Sequence, residues 1–144
     1  MRSRPVRNAL FLAALLLAAC GDVKSPTEPS APPAGTAFTF SQVQAQIFTP
    51  NCAKAGCHSA ASASNDLVLE AGRAYSEIVN EPAVGNSSLD LIEPGDPDRS
   101  YLIKKLRGDP DITGERMPLD DPGALTQEQV DGILGWVLAG APNN

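Results

Sequence analysis

Residues 48–60 read Phe-Thr-Pro-Asn-Cys-Ala-Lys-Ala-Gly-Cys-His-Ser-Ala, so Cys52, Cys57 and His58 fall into one Cys-x4-Cys-His arrangement. His58 is the only histidine of the chain, and Met117 is its only methionine besides the initiator. These four residues form the set that a covalently attached haem needs. Two thiols can become thioether anchors to the porphyrin vinyl groups, the adjacent imidazole can bind the iron on one face, and a methionine sulfur can bind it on the other. Other metal sites fail on ligand supply. A blue-copper centre needs two histidines beside a cysteine, and a haem held by two imidazoles needs two histidines. A structural zinc would lack a fourth ligand unless a carboxylate served. A Cys52–Cys57 disulfide stays open as an alternative for an exported domain, but it gives His58 no part.

Outward from this stretch, the beginning of the chain supplies the compartment. Arg2, Arg4 and Arg7 precede an uncharged apolar run over 9–19, which ends at Leu17-Ala18-Ala19-Cys20. A basic start, a short apolar stretch and small residues before a cut make a secretory signal over 1–19. The run is too short to span a bilayer as a mature segment. Its Leu-Ala-Ala-Cys ending resembles the lipobox of bacterial lipoproteins. That resemblance implies lipidation of Cys20 and location in a bacterial cell envelope, on the inner or outer membrane facing the periplasm, or at the cell surface. Several acyl chains on one residue hold a protein firmly, where one chain alone is marginal.

Residues 20–37 add a tether rich in Pro, Ser, Thr and Gly, without apolar periodicity. Extended, it would reach on the order of 50 Å. Residues 38–144 are the size of one domain, with no visible repeat. The formal charge of the whole chain is −6, and loss of Arg2, Arg4 and Arg7 with the signal takes it to −9. So acidic a chain lacks the basic stripe that nucleic acid requires. Aromatic content is low, at 5%, and a buried porphyrin would supply apolar core in its place.

The pattern predicts short helices. Ser41 with Gln44 reads as a capping box, placing Val43, Ile47 and Phe48 on one face, with Pro50 ending the helix before Cys52. A second helix is expected over 70–79, burying Ala74, Tyr75, Ile78 and Val79. Asp96 and Pro97 open a third as cap and first-turn proline, followed by Tyr101, Leu102, Ile103 and Leu106, with Gly108 as its stop. Thr126 and Gln129 repeat the capping pattern for the last, which buries Val130, Ile133, Leu134 and Val137 and ends at Gly140. Trp136, Phe40 and Phe48 are expected to pack where the first and last helices cross. No segment alternates as a strand. Met117 sits in the Pro-, Gly- and Asp-rich stretch 109–125, whose acids are expected to be solvated. Lys104, Lys105 and Arg107 form a small basic spot available to a haem propionate or a partner.

This layout resembles the small monohaem cytochrome c family of bacterial periplasmic or surface domains. The likeness is carried by the ligands, then by Pro94-Gly95-Asp96-Pro97, Ser100-Tyr101-Leu102, Lys105-Leu106, Gly108, Arg116-Met117-Pro118, Ile133, Trp136 and Gly140-Ala141. It implies an all-α fold of about four short helices around one haem c, with the signal peptide and disordered linker ahead of it. A loop before the terminal helix would deliver the axial methionine. Most members space the two cysteines by two residues where this chain has four, and Gly56 is the residue that would let the longer loop tuck under the porphyrin edge.

The function expected is a membrane-tethered electron carrier rather than an enzyme. Iron held by His58 and Met117 has no open position for substrate, and thioether ligation raises the potential relative to two imidazoles. Its partner would be a redox protein or a respiratory complex. One alternative is a small-molecule-binding or sensory haem domain with a displaceable Met117. Another is a haem-free lipoprotein interaction domain with Cys52 and Cys57 bridged.

Overall fold

The computed structural model describes residues 37–144. The expected signal 1–19, the lipidation site Cys20 and the tether up to residue 36 lie outside the described residues. Helix α1, Phe40–Val43, starts from a capping box two residues earlier than expected: Thr39 Oγ1 accepts from the Gln42 amide at 3.1 Å, and Gln42 Oε1 accepts from the Thr39 amide at 2.8 Å. Thr39-x-x-Gln42 and Ser41-x-x-Gln44 fit the same local pattern, and the far end of the chain decides between them. The Ser41 amide and hydroxyl both donate to the Asn144 carbonyl, at 2.9 and 2.8 Å, and the Phe40 amide donates to Asn144 Oδ1 at 2.8 Å. Amides of the first turn, which have no partner inside a helix, are thereby satisfied.

Pro50 does not end this helix. The chain widens into a π-helical segment, Gln44–Cys52, with Pro50 inside it. Proline removes a donor and crowds the carbonyl four residues back; the wider turn relieves the crowding. The carbonyls so released find side chains. Asn51 Nδ2 donates to Gln46 and Ile47 oxygens at 3.4 and 3.2 Å, Cys52 Sγ lies 3.7 Å from the Ile47 oxygen, and Gln129 Nε2 donates to the Gln46 oxygen at 2.8 Å. Val43, Ile47 and Phe48 form the buried face.

Helix α2 is confined to Ala74–Ile78, shorter than the 70–79 expected, because Val79 turns extended and bridges Ile92. The expectation of an all-α fold is overturned next. Pro82–Ala83 (β1) and Asn86–Asp90 (β2) form an antiparallel two-stranded sheet, with Pro82 opposite Asp90, Ala83 opposite Asn86, and an irregularity between them. With four α-helices and this hairpin among the described residues, the domain is a small mixed fold. The strands escaped the pattern because Asn86, Ser87 and Ser88 are polar with no buried face, so nothing alternates.

Asp96 caps a 3-10 turn, Pro97–Arg99, rather than one long helix. Buried Ser100 breaks it, accepting from the Glu93 amide at 2.9 Å and donating to the Asp96 carbonyl at 2.8 Å. Helix α3, Tyr101–Arg107, follows and stops at Gly108, whose φ of +76° suits glycine. Helix α4, Gln127–Leu138, has the expected Thr126/Gln129 box. The segment entering α1 lies across α4, so closely that a Cβ on Gly132 would meet the Phe38 ring and one on Gly135 the Ala37 backbone. Phe40 is the aromatic hub, its ring centroid 5.5 Å from that of Trp136, 5.1 Å from Tyr75 and 6.4 Å from Phe48. The core therefore gathers at the α1–α4 crossing. This leaves the 52–58 loop, α3 and the 109–125 loop to enclose something else.

Candidate cofactor-binding site

A cavity of about 420 Å³ lies beside this core, and Cys52, Cys57, His58 and Met117 all line it. Its size is within the 300–1,000 Å³ usual for ligand sites. Leu67, Leu69, Leu91, Leu102 and Leu106 give it a largely apolar wall.

The 52–58 loop is fixed by its backbone. The Cys57 amide donates to the Lys54 carbonyl at 3.0 Å and the His58 amide to the Cys52 carbonyl at 3.1 Å, closing the four-residue spacer into a turn. Gly56, at φ +83°, supplies the left-handed residue that this turn requires, and its amide donates to Ser62 Oγ at 2.7 Å. The Leu69 amide donates to the His58 carbonyl at 2.8 Å and the Ser64 amide to the Cys57 carbonyl at 3.1 Å, so His58 is held from both sides.

Cys52 and Cys57 are free thiols. Burial, opposed by Lys54 and reinforced by Cys57 and Asp120, pushes the Cys52 thiol up to about 12, which keeps it protonated. Burial likewise lowers the His58 pKa below its ordinary value. The backbone of Leu67 and Ser64 opposes that shift, and Lys105 adds to it. Neither Leu67 nor Ser64 gives Nδ1 a partner within hydrogen-bond geometry, and this buried nitrogen is left unpaired. A neutral imidazole is the form that ligates metal. Met117 reaches the same cavity from the other loop, its amide donating to the Lys105 carbonyl at 2.9 Å.

Several contributors to the cavity were invisible as such in the sequence. Tyr101, read as a core residue, is a tie point: its hydroxyl accepts from the Thr113 amide at 2.9 Å, and Thr113 Oγ1 donates to the Gly85 carbonyl at 2.8 Å. The hairpin tip, α3 and the 109–125 loop thus meet there. Gly85 is packed so tightly on Tyr101 that a Cβ would collide with the phenol. Exposed Val84 and Leu119, at 72% and 61%, also line the cavity. The expected basic spot is mostly neutralised: Lys104 pairs with Asp111 at 3.0 Å and Arg107 with Asp98 at 2.7 Å. Lys105 lines the cavity and spends its ammonium on the carbonyls of Thr113 and Glu115. Asp111, Glu115, Asp120 and Asp121 are exposed, and Asp109 is half-buried.

No protein-family model, curated protein or solved structure matches the chain. Among the described residues there is also no cluster of three or more His, Cys, Asp or Glu side chains that could hold a metal ion. The resemblance to the monohaem cytochrome c family, with His58/Met117 ligation and a lipoprotein leader, is therefore not upheld as family membership. The blocks that carried it have local explanations here. Asp96-Pro97 caps a 3-10 turn, Gly108 ends α3, and Trp136 fills the core while donating to the Pro142 carbonyl at 2.9 Å. Any small helical domain can use such devices. What the four cavity residues can do rests on their own chemistry. That chemistry fits a porphyrin: two free thiols, a neutral imidazole with an unpaired buried nitrogen, and a thioether, on one apolar cavity.

Proposed function

We propose that this protein carries one covalently attached haem c and works as a single-electron carrier, tethered to a bacterial envelope membrane through lipid on Cys20. The observation that supports the reading is the meeting of Cys52, Cys57, His58 and Met117 on one apolar cavity. Cys52 and Cys57 would supply the thioether anchors, His58 an imidazole ligand and Met117 a thioether sulfur as a second ligand. Haem iron supplies the one-electron couple. Each side chain then has a definable task. Burial keeps His58 neutral and so able to offer a lone pair. Leu67, Leu69, Leu91, Leu102 and Leu106 exclude water, which favours the less charged iron state. Met117 would fill the last coordination position, leaving none for substrate, so the role is transfer rather than catalysis. Electrons would pass to or from a redox enzyme or a respiratory complex at the exposed rim, where Val84 and Leu119 stand.

The test is production of the full chain in a host equipped for covalent haem attachment. The expected outcome is a mass increment of one haem and a c-type reduced-minus-oxidised spectrum, both abolished by replacing Cys52 and Cys57 together. Protein recovered without the increment, its thiols free or bridged to one another, would remove the proposal.

A further inference from the structure

Lys54 occupies the spacer between the two cysteines, and Asp120 lies three residues beyond Met117 on the cavity lining. Lys54 Nζ and Asp120 Oδ2 are 3.0 Å apart. Among the described residues this ion pair is the one hydrogen bond or salt bridge that joins the 52–58 loop to the 117–121 segment. On its other side, Met117 is held by α3 through the amide bond to Lys105, and Pro118 is buried. Leu119, between Pro118 and Asp120, stands 61% exposed. Arg116 Nε, just before the segment, also donates to the Leu106 carbonyl at 2.7 Å, so the α3 side is held by several contacts and the cysteine-loop side by one pair of charges in contact with water.

We infer that Lys54 and Asp120 form an electrostatic latch that holds the Met117 segment closed against the cysteine loop, making both of them positioning residues for Met117. For its consequence at a bound cofactor, the inference rests on the haem reading above. The pair is suited to a latch rather than to fold stability. Its side chains are 41% and 58% exposed, and pairs so exposed contribute little and are screened by salt. Lys54 is the one charged residue of the four-residue spacer, Ala53-Lys54-Ala55-Gly56, and so the one that can make such a pair. A latch of this strength opens and closes readily. It biases how often the methionine leaves without fixing it in place.

The experiment has two readouts. In full-length protein lacking haem, hydrogen exchange of the Met117 amide reports opening of the segment. Lys54→Ala and Asp120→Ala should each speed it about two- to fivefold, and the charge-exchanged pair Lys54→Asp with Asp120→Lys should restore the original rate. At about 1 M salt, where screening acts within about 3 Å, wild type and single variants should converge. In protein with attached haem, added imidazole competes with Met117, and the single variants should bind it about two- to fivefold more tightly. Unaltered exchange in both single variants, or an exchanged pair no slower than they are, overturns the latch even where haem is attached normally. Failure of haem attachment in wild type overturns the cofactor reading, while the exchange result still decides the latch.

Discussion

The Cys52 thiol offers the sharpest quantitative test of the site in protein without haem. Its sulfur is held near the Ile47 carbonyl and its pKa is pushed up to about 12, chiefly by burial. At pH 8 a thiol of pKa about 12 is ionised in about one molecule in 10⁴, whereas one at its ordinary value near 9 is ionised in about one in ten. The thiolate is the nucleophile, so alkylation of Cys52 should run about 10³-fold slower in native protein than in protein unfolded by urea. The assay is a timed iodoacetamide pulse at pH 8 on protein without haem, followed by digestion and mass measurement of the peptide holding Cys52. The same shift sets a pH dependence. From about pH 9 to 12 the unfolded thiol has lost its proton while the native one keeps it, so the native state binds more protons and stability falls as pH rises. The slope is at most about 1.4 kcal/mol per pH unit. Cys52 that alkylates equally fast in native and unfolded protein would refute both the burial argument and the pH dependence drawn from it.

Other perturbations separate the site from its scaffold. Met117→Ala in haem-loaded protein should lower the reduction potential and allow stoichiometric carbon monoxide binding to the reduced form; an unchanged spectrum and potential would take Met117 off the iron. Gly135→Ala places a Cβ 2.7 Å from Ala37 Cα, an overpacking cost of about 1–3 kcal/mol offset by about 1 kcal/mol of helix propensity. Thermal unfolding should therefore shift down by up to about 10 °C, and an upward shift of about 4–8 °C, the propensity gain alone, would mean that the entering segment does not press on α4. Thr126→Ala should cost about 1 kcal/mol in urea unfolding and Thr126→Ser much less; equal losses would deny the capping role.

The legibility of this fold followed the range of its interactions. The α4 box at Thr126 and Gln129 and the Gly108 stop were readable because each is completed within a few residues of its own position. The α1 cap was misplaced by two residues because Ser41 is claimed by Asn144, a partner at the other end of the sequence. Pro50 looked like a terminator since the rule concerns helices with four-residue bonding, and here Asn51, Cys52 and Gln129 collect the carbonyls that a wider turn releases. The hairpin at 82–90 was illegible for a related reason. Its strands owe their place to Glu81, Leu91 and Thr113 contacts, not to an alternating face of their own. At the site, the four chemistry-bearing residues stood out by scarcity alone. Tyr101, Gly85 and the Lys54–Asp120 pair did not, since each matters only through a neighbour distant in sequence.

That contrast explains how so short a domain keeps an apolar cavity beside its core. The helices that cross, α1 and α4, form their own aromatic centre around Phe40 and Trp136. The described cavity therefore need not be filled for that centre to be packed. Its inner wall, with Ile47, Phe48, Leu69, Leu102 and Leu106, belongs to the core, but its rim comes from loops fastened by polar ties: His58 through Cys52 and Leu69 backbone, Met117 through Lys105, Gly85 through Thr113. A rim made this way opens at lower free energy than the crossing helices do, because few buried apolar contacts must separate. On the haem proposal, a domain that admits a large planar group and closes around it would need that division. Exchange protection should accordingly rank the Val137 and Val43 amides well above those of Met117 and Gly56, and the reverse order would place the stable core at the cavity instead.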